Sequence, residues 1–159
     1  MRGKPLTVLL ASVLLSGLAV SATAVGGQQA STSRAVVKTA FNKTLKRAIV
    51  VDGRGLTLYL FTQDTGVTST CAKDPDCLKV WPALTSTGKP VAGKGINARL
   101  LGTTKGAGGR RQVTYNRHPL YYFAGLGVGP GDKKPGAVLG QGFFQQWYVL
   151  SPKGTPIRK

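Results

Sequence analysis

The chain has 159 residues and a formal net charge of +17, from 22 Lys and Arg against 5 acidic residues, all of them Asp. With no Glu and a single His, it lacks the side chains for a paired-Glu acid–base site or a metal centre built from several His and Cys. The one Met opens the chain, which excludes copper or haem ligation by Met in an exported product.

Arg2 and Lys4 precede an apolar run from Leu6 to Val20, and Ala22-Thr23-Ala24 follows as a small-x-small cleavage site. This order is that of a secretory signal peptide over 1–24. The run is shorter than the roughly 20 residues of a membrane span, so cleavage is expected to leave no transmembrane segment. No Cys precedes Cys71, so no lipid anchor is expected. Residues 25–34 read as a flexible lead-in, and 35–159 as a single secreted β domain.

β signals begin at Ala35. The run "RAIVV" is followed by the turn signal "DGRG" and the alternating "LTLYLF", which predicts a hairpin from Ile49 to Phe61. The same plan returns as "QVTY", a turn at "NRH", and "PLYYF". The chain is therefore expected to be mainly β. Two pseudo-repeated hairpin units, about 48–84 and 112–151, would pack as a small sandwich or barrel with long Gly-rich loops. Pro82 should interrupt regular structure, and no helix start is evident beside Cys71. "INARLL" fits a helical turn or a strand, and "FFQQWYVL" reads as a last strand.

Cys71 and Cys77, an even pair in an exported chain, are expected to form a disulfide that staples one turn. Their spacing is not the C-x-x-C of a redox pair.

Tyr59-Leu60-Phe61-Thr62-Gln63-Asp64, "STCAKDPDCLKVWPAL", "QVTYNRHPLYYFAG", "DKKPG", "GQG" and "WYVLSPKG" occur in that order. With them the chain, over roughly 36–157, resembles a bacterial family of secreted repeats described as predicted lipoproteins with a Tyr-x-aromatic-x-x-Asp motif. The resemblance implies kinship and no activity. There are three departures. The lipidation Cys is missing, the two Cys are more widely spaced, and Leu126 stands where the second motif's Asp would be. "LGVGPG" looks inserted there, which makes Asp132 the displaced counterpart of Asp64.

The motif residues are thus Tyr59, Phe61, Asp64, Tyr121, Phe123 and Asp132. The period-two aromatics are core by default, and Asp64 is read mainly as a turn former accepting backbone N–H groups. His118, alone, suits neither a Ser-His-Asp site nor a metal. No catalytic residue, metal or cofactor is expected. Tyr122, Trp81, Arg110, Arg111 and Arg117 are the candidate ligand-facing residues. The charge suggests anionic cell-wall polymers or anionic lipid head groups as partners; export makes nucleic acid an unsuitable one. The expectation is an exported, non-catalytic envelope or extracellular module. The alternative is an envelope enzyme or redox-associated component using Asp64 and an aromatic cleft.

Overall fold

A computed structural model describes residues 33–127 and 129–158. The expected signal peptide, the lead-in before Ser33 and Val128 of the inserted segment lie outside these residues. The elements are β1 (Val36–Asn42), β2 (Arg47–Asp52), β3 (Tyr59–Phe61), α1 (Pro75–Val80), β4 (Val91–Ala92), β5 (Leu101–Lys105), β6 (Arg111–Tyr115), β7 (His118–Pro119) and β8 (Trp147–Val149). The fold is β-rich, in the small sheets β2-β1-β4, β3-β8 and β5-β6-β7. These do not close into a barrel, which removes that half of the expected architecture.

β2 pairs chiefly with β1, antiparallel from Val37↔Asp52 to Asn42↔Arg47. Sequence reading assigned no separate strand to 36–42, because Lys38, Thr39 and Asn42 break its hydrophobic alternation. The β1–β2 turn is held by Asn42 Oδ1, which accepts from the Leu45 N–H at 2.8 Å. The expected turn after β2 is present. The Gly55 N–H reaches the Asp52 carbonyl at 2.9 Å, and Asp52 Oδ1 accepts from the N–H groups of Arg54 and Leu56, each at 2.9 Å. Gly55 has φ +90°, a conformation that favours glycine. The hairpin is short: Leu58 N–H still reaches the Val50 carbonyl at 3.2 Å, and beyond it the chain leaves β2.

The second hairpin, β6–β7, turns at Asn116 (φ 48°) and Arg117 (φ 66°). Two left-handed residues are what a tight hairpin needs. Asn tolerates this well; the Arg117 side chain reaches across to the turn at Gly66. Leu120 N–H then reaches the Val113 carbonyl at 2.9 Å, as Leu58 does Val50.

What each motif strand does next depends on the other repeat. Tyr59 and Tyr121 exchange two backbone hydrogen bonds, at 2.9 and 3.0 Å. β3 pairs on its other side with β8, Tyr59 opposite Val149 and Phe61 opposite Trp147. Segment 81–84 does the same for segment 120–124. Leu84 N–H meets the Leu120 carbonyl at 2.9 Å, and Tyr122 N–H meets the Pro82 carbonyl at 2.8 Å. The correspondence extends outward, with Val50 N–H to Leu150 O at 3.0 Å and Val113 N–H to Leu84 O at 2.8 Å. Each repeat therefore lays its last strand on the other's motif strand, a reciprocity that a pseudo-twofold relation requires.

Period two then sorts the side chains. Leu58, Leu60, Leu120, Tyr148 and Leu150 pack with Val50 and Val113 on one face. Tyr59, Tyr121, Phe123, Trp147 and Val149 pack with Ile49 and Val51 on the other. The equivalent Trp81 and Trp147 stack with centroids 3.9 Å apart and planes within 1°, and Phe61 stacks on Trp147 at 4.2 Å. Such ring contacts add roughly 0.5–1.5 kcal/mol each beyond area burial.

Two local expectations need correction. A short helix does follow Cys71: Asp74 caps α1, its side chain accepting from the N–H groups of Asp76 and Cys77, with Pro75 at the first turn. "FFQQWYVL" is a strand only over β8. Phe144 (φ 49°) and Gln145 (φ 56°) sit in left-handed turn conformations before it.

Candidate functional site

The motif carboxylates are built into the reciprocal packing. Tyr121 donates its hydroxyl to Asp64 Oδ2 at 2.8 Å, and Ser69 Oγ lies 2.7 Å from the same hydroxyl. Asp64 Oδ1 accepts from the Thr70 N–H at 2.7 Å. In the mirror arrangement Tyr59 donates its hydroxyl to Asp132 Oδ2, and Asp132 Oδ1 accepts from the Leu139 N–H at 2.9 Å. The tyrosine of each repeat thus holds the aspartate of the other. Burial pushes both carboxyl groups above the usual carboxylate range, against the pull of those donors. It pushes both phenols up too, and the neighbouring carboxylates add to this.

Asp132 occupies the displaced motif position. Asp64 N–H bonds the Phe61 carbonyl at 3.2 Å, and Asp132 N–H bonds the Phe123 carbonyl at 2.9 Å, although the second pair is nine residues apart in sequence and the first only three. The extra chain is pinched at its base. A Cβ at Gly125 would lie 2.6 Å from the Gly129 carbonyl oxygen, and one at Gly131 would overlap the Ala124 backbone. Only glycine lets the two sides approach so closely.

The Cys71–Cys77 disulfide is formed. It ties Cys71, which directly follows Ser69 and Thr70, to α1, which leads to Trp81, so it braces the Asp64 half of the lock.

The open surface lies elsewhere. A cleft of about 680 Å³ is lined by Arg34, Arg54, Arg110, Val36, Asp52 and Tyr122, among others. Asp52 sits at its floor, buried, and Tyr122 donates its hydroxyl to Asp52 Oδ2 at 3.0 Å. Arg54 Nε reaches the same oxygen at 3.0 Å while most of its side chain stays exposed. That hydrogen bond holds the guanidinium above its ordinary value. A second cleft of about 600 Å³ includes Lys38, Phe41, Lys43 and Arg54 over a floor of Ile49 and Val51.

Of the residues expected to face a ligand, Tyr122 and Arg110 share the first cleft. Trp81 is corrected: it is buried, because it completes the inter-repeat ring stack. Arg111 and Arg117 are exposed and line neither cleft; Arg117 lies against the turn at Gly66. His118 is half-buried, and burial lowers its pKa. Sequence reasoning missed Arg34, Arg54, Asp52, Lys38 and Lys43. The "DGRG" turn was the available signal for Asp52 and Arg54, since it fixes both side chains beside one strand end. Among the described residues no group of three His, Cys, Asp or Glu could hold a metal ion. No helix among them is long and apolar enough to cross a membrane.

A family model described as a secreted repeat of unknown function matches residues 46–85 and again 102–151. The two matches coincide with the two halves of the reciprocal fold. No curated protein and no solved structure matches the chain.

Proposed function

The chain belongs to this family of secreted repeats, and we propose that it is a non-catalytic, unanchored envelope or extracellular module that contacts anionic wall polymers through Lys and Arg. The observation that carries the reading is an un-neutralised basic surface. Of the 22 Lys and Arg, 19 lie among the described residues, and the ion pairs there are Arg54–Asp52 and Lys79–Asp76. Free cations at this density raise the local concentration of a polyanion and speed its capture. The motif carboxylates support a non-catalytic role, because their oxygens are engaged by tyrosine hydroxyls and backbone N–H groups of the lock. The aromatic rings of the motif pack on one another, which supports a structural role for the motif strands.

Retention on isolated cell walls at graded salt tests this. The protein should bind at low ionic strength and elute progressively as salt shortens the Debye length from about 30 Å at 0.01 M to about 8 Å at 0.15 M. Absence of binding at low salt, or retention indifferent to salt, sinks the electrostatic account.

A further inference from the structure

The two clefts are parts of one surface. Lys38 pairs with Val51 and Ala40 with Ile49 across the β1–β2 hairpin, and a Cβ at Gly53 would lie 3.1 Å from the Val36 Cβ. Period two puts Val36, Lys38 and Ala40 on one face with Ile49, Val51 and the Gly53 position. Val36 and Gly53 line the 680 Å³ cleft, Lys38, Ala40, Ile49 and Val51 line the 600 Å³ cleft, and Arg54 lines both. From Arg34 to Asn42 the chain advances roughly 26 Å at the strand rise.

We propose that this strip is a binding track for a linear phosphate-bearing polymer, with Arg54 at its centre. This rests on the polyanion reading above and assigns it a place and a ligand chemistry. Arg34, Arg54 and Arg110 enter one cleft, with Lys38 and Lys43 further along. The one acid in either lining, Asp52, is buried and already engaged by Arg54, Tyr122 and two backbone N–H groups. It therefore fixes Arg54 without repelling an anion. Only Nε of Arg54 is used in that contact, which leaves the outer guanidinium nitrogens for a ligand. Three guanidinium forks around one volume exceed what a planar carboxylate can accept bidentately. A tetrahedral phosphate offers oxygens on several sides and suits the arrangement better. The half-buried Tyr122 ring, with the Arg54 guanidinium 5.9 Å from its centroid, gives the polymer's carbon units a wall to lie against.

The test is binding to inorganic polyphosphates of increasing length, with orthophosphate and polygalacturonate as comparison probes. Orthophosphate should bind weakly. Affinity should climb with polyphosphate length until the track is filled, then level off, and polygalacturonate of equal charge should bind less tightly. Arg54→Gln and Arg110→Gln should each weaken polyphosphate binding roughly tenfold and lower the salt-dependence slope by about one. Lys73→Gln and Lys153→Gln change the same charge off the track and should weaken it less than about twofold, the residual long-range effect. Arg110 is in no ion pair among the described residues, so Arg110→Gln carries the test if Arg54→Gln also lowers stability. Equal losses at all four positions overturn the track and leave general polyanion binding standing. A preference for polygalacturonate overturns the phosphate assignment. Failure of the wild-type protein to bind any of the polymers overturns the track and the reading beneath it together.

Discussion

Tyr59–Asp132 and Tyr121–Asp64 are the residue pairs on which the two halves depend, and their energetics follow from burial. Tyr59→Phe keeps the ring packed on Trp81 (centroids 5.4 Å apart) but leaves the buried Asp132 without its hydroxyl donor. The expected loss is about 1–3 kcal/mol, read from urea unfolding. In a cycle with Asp132→Asn the losses should be strongly non-additive; additive losses would mean that the two side chains are not coupled. The pH dependence has a definite sign. Burial raises the folded-state pKa of both carboxyl groups above the unfolded value. The native state therefore holds more protons than the unfolded state between those values. Their contribution to stability is fully present below the unfolded pKa, about 3.9, and is lost as pH rises through the raised native values. Asp132→Asn does not titrate, so the stability gap between wild type and this variant should shift against the wild type as pH climbs from about 3 to 6. A gap moving the opposite way would mean that the lock prefers the carboxylate anion.

At the scale of elements, the informative comparison is between the two motif loops. The same turn is closed by Asp64 on Phe61 and by Asp132 on Phe123, with six more residues in the second. Deleting 125–130 joins Ala124 to Gly131 and restores the spacing of the first copy. The closure entropy of a flexible loop changes by only about 0.6 kcal/mol per doubling of length. The shortened protein should therefore unfold at a midpoint equal to or slightly above that of the full chain. A large destabilisation would show that the insertion packs as part of the core. Removing the disulfide by Cys71→Ser and Cys77→Ser acts on the opposite lock and should cost about 2 kcal/mol for so short a loop. Much of this was legible in the chain itself. The turns at Asp52–Gly55 and Asn116–Arg117, the Cys pair and the displaced Asp132 all carry local signals. The partners of the motif strands were not legible, because β3 finds β8 and segment 120–124 finds segment 81–84 through contacts far apart in sequence. β1 was missed because Lys38, Thr39 and Asn42 interrupt its hydrophobic alternation, and α1 because a six-residue helix shows little beyond its Asp-Pro start. The cleft escaped for a related reason: Arg34, Arg54 and Arg110 are distant in sequence and meet only when β1, β2 and β6 are assembled.

For the whole molecule, reciprocity means that neither half is complete. A division after Gly95 keeps β4 on β1, where the Gly93 N–H meets the Val37 carbonyl at 2.7 Å. Residues 33–95 then hold β3 without β8 and Tyr59 without Asp132. Residues 96–158 hold segment 120–124 without segment 81–84 and Tyr121 without Asp64. At this size a folded chain buries only about 60% of the surface that its unfolded form exposes, so losing the central pairing should leave each half without fixed tertiary structure. Mixed at equal concentration, the halves should recover the near-ultraviolet circular dichroism of the stacked Trp81 and Trp147, with a midpoint that rises with concentration. The first half alone carries its own Tyr59, Asp64 and Trp81 strand, so two copies present the same complementary surfaces to each other. Concentration-dependent folding of that half as a homodimer is therefore consistent with the pseudo-twofold fold. Cooperative folding of either half as a monomer is not: it would mean that strand exchange between the repeats decorates two self-sufficient units instead of creating the core.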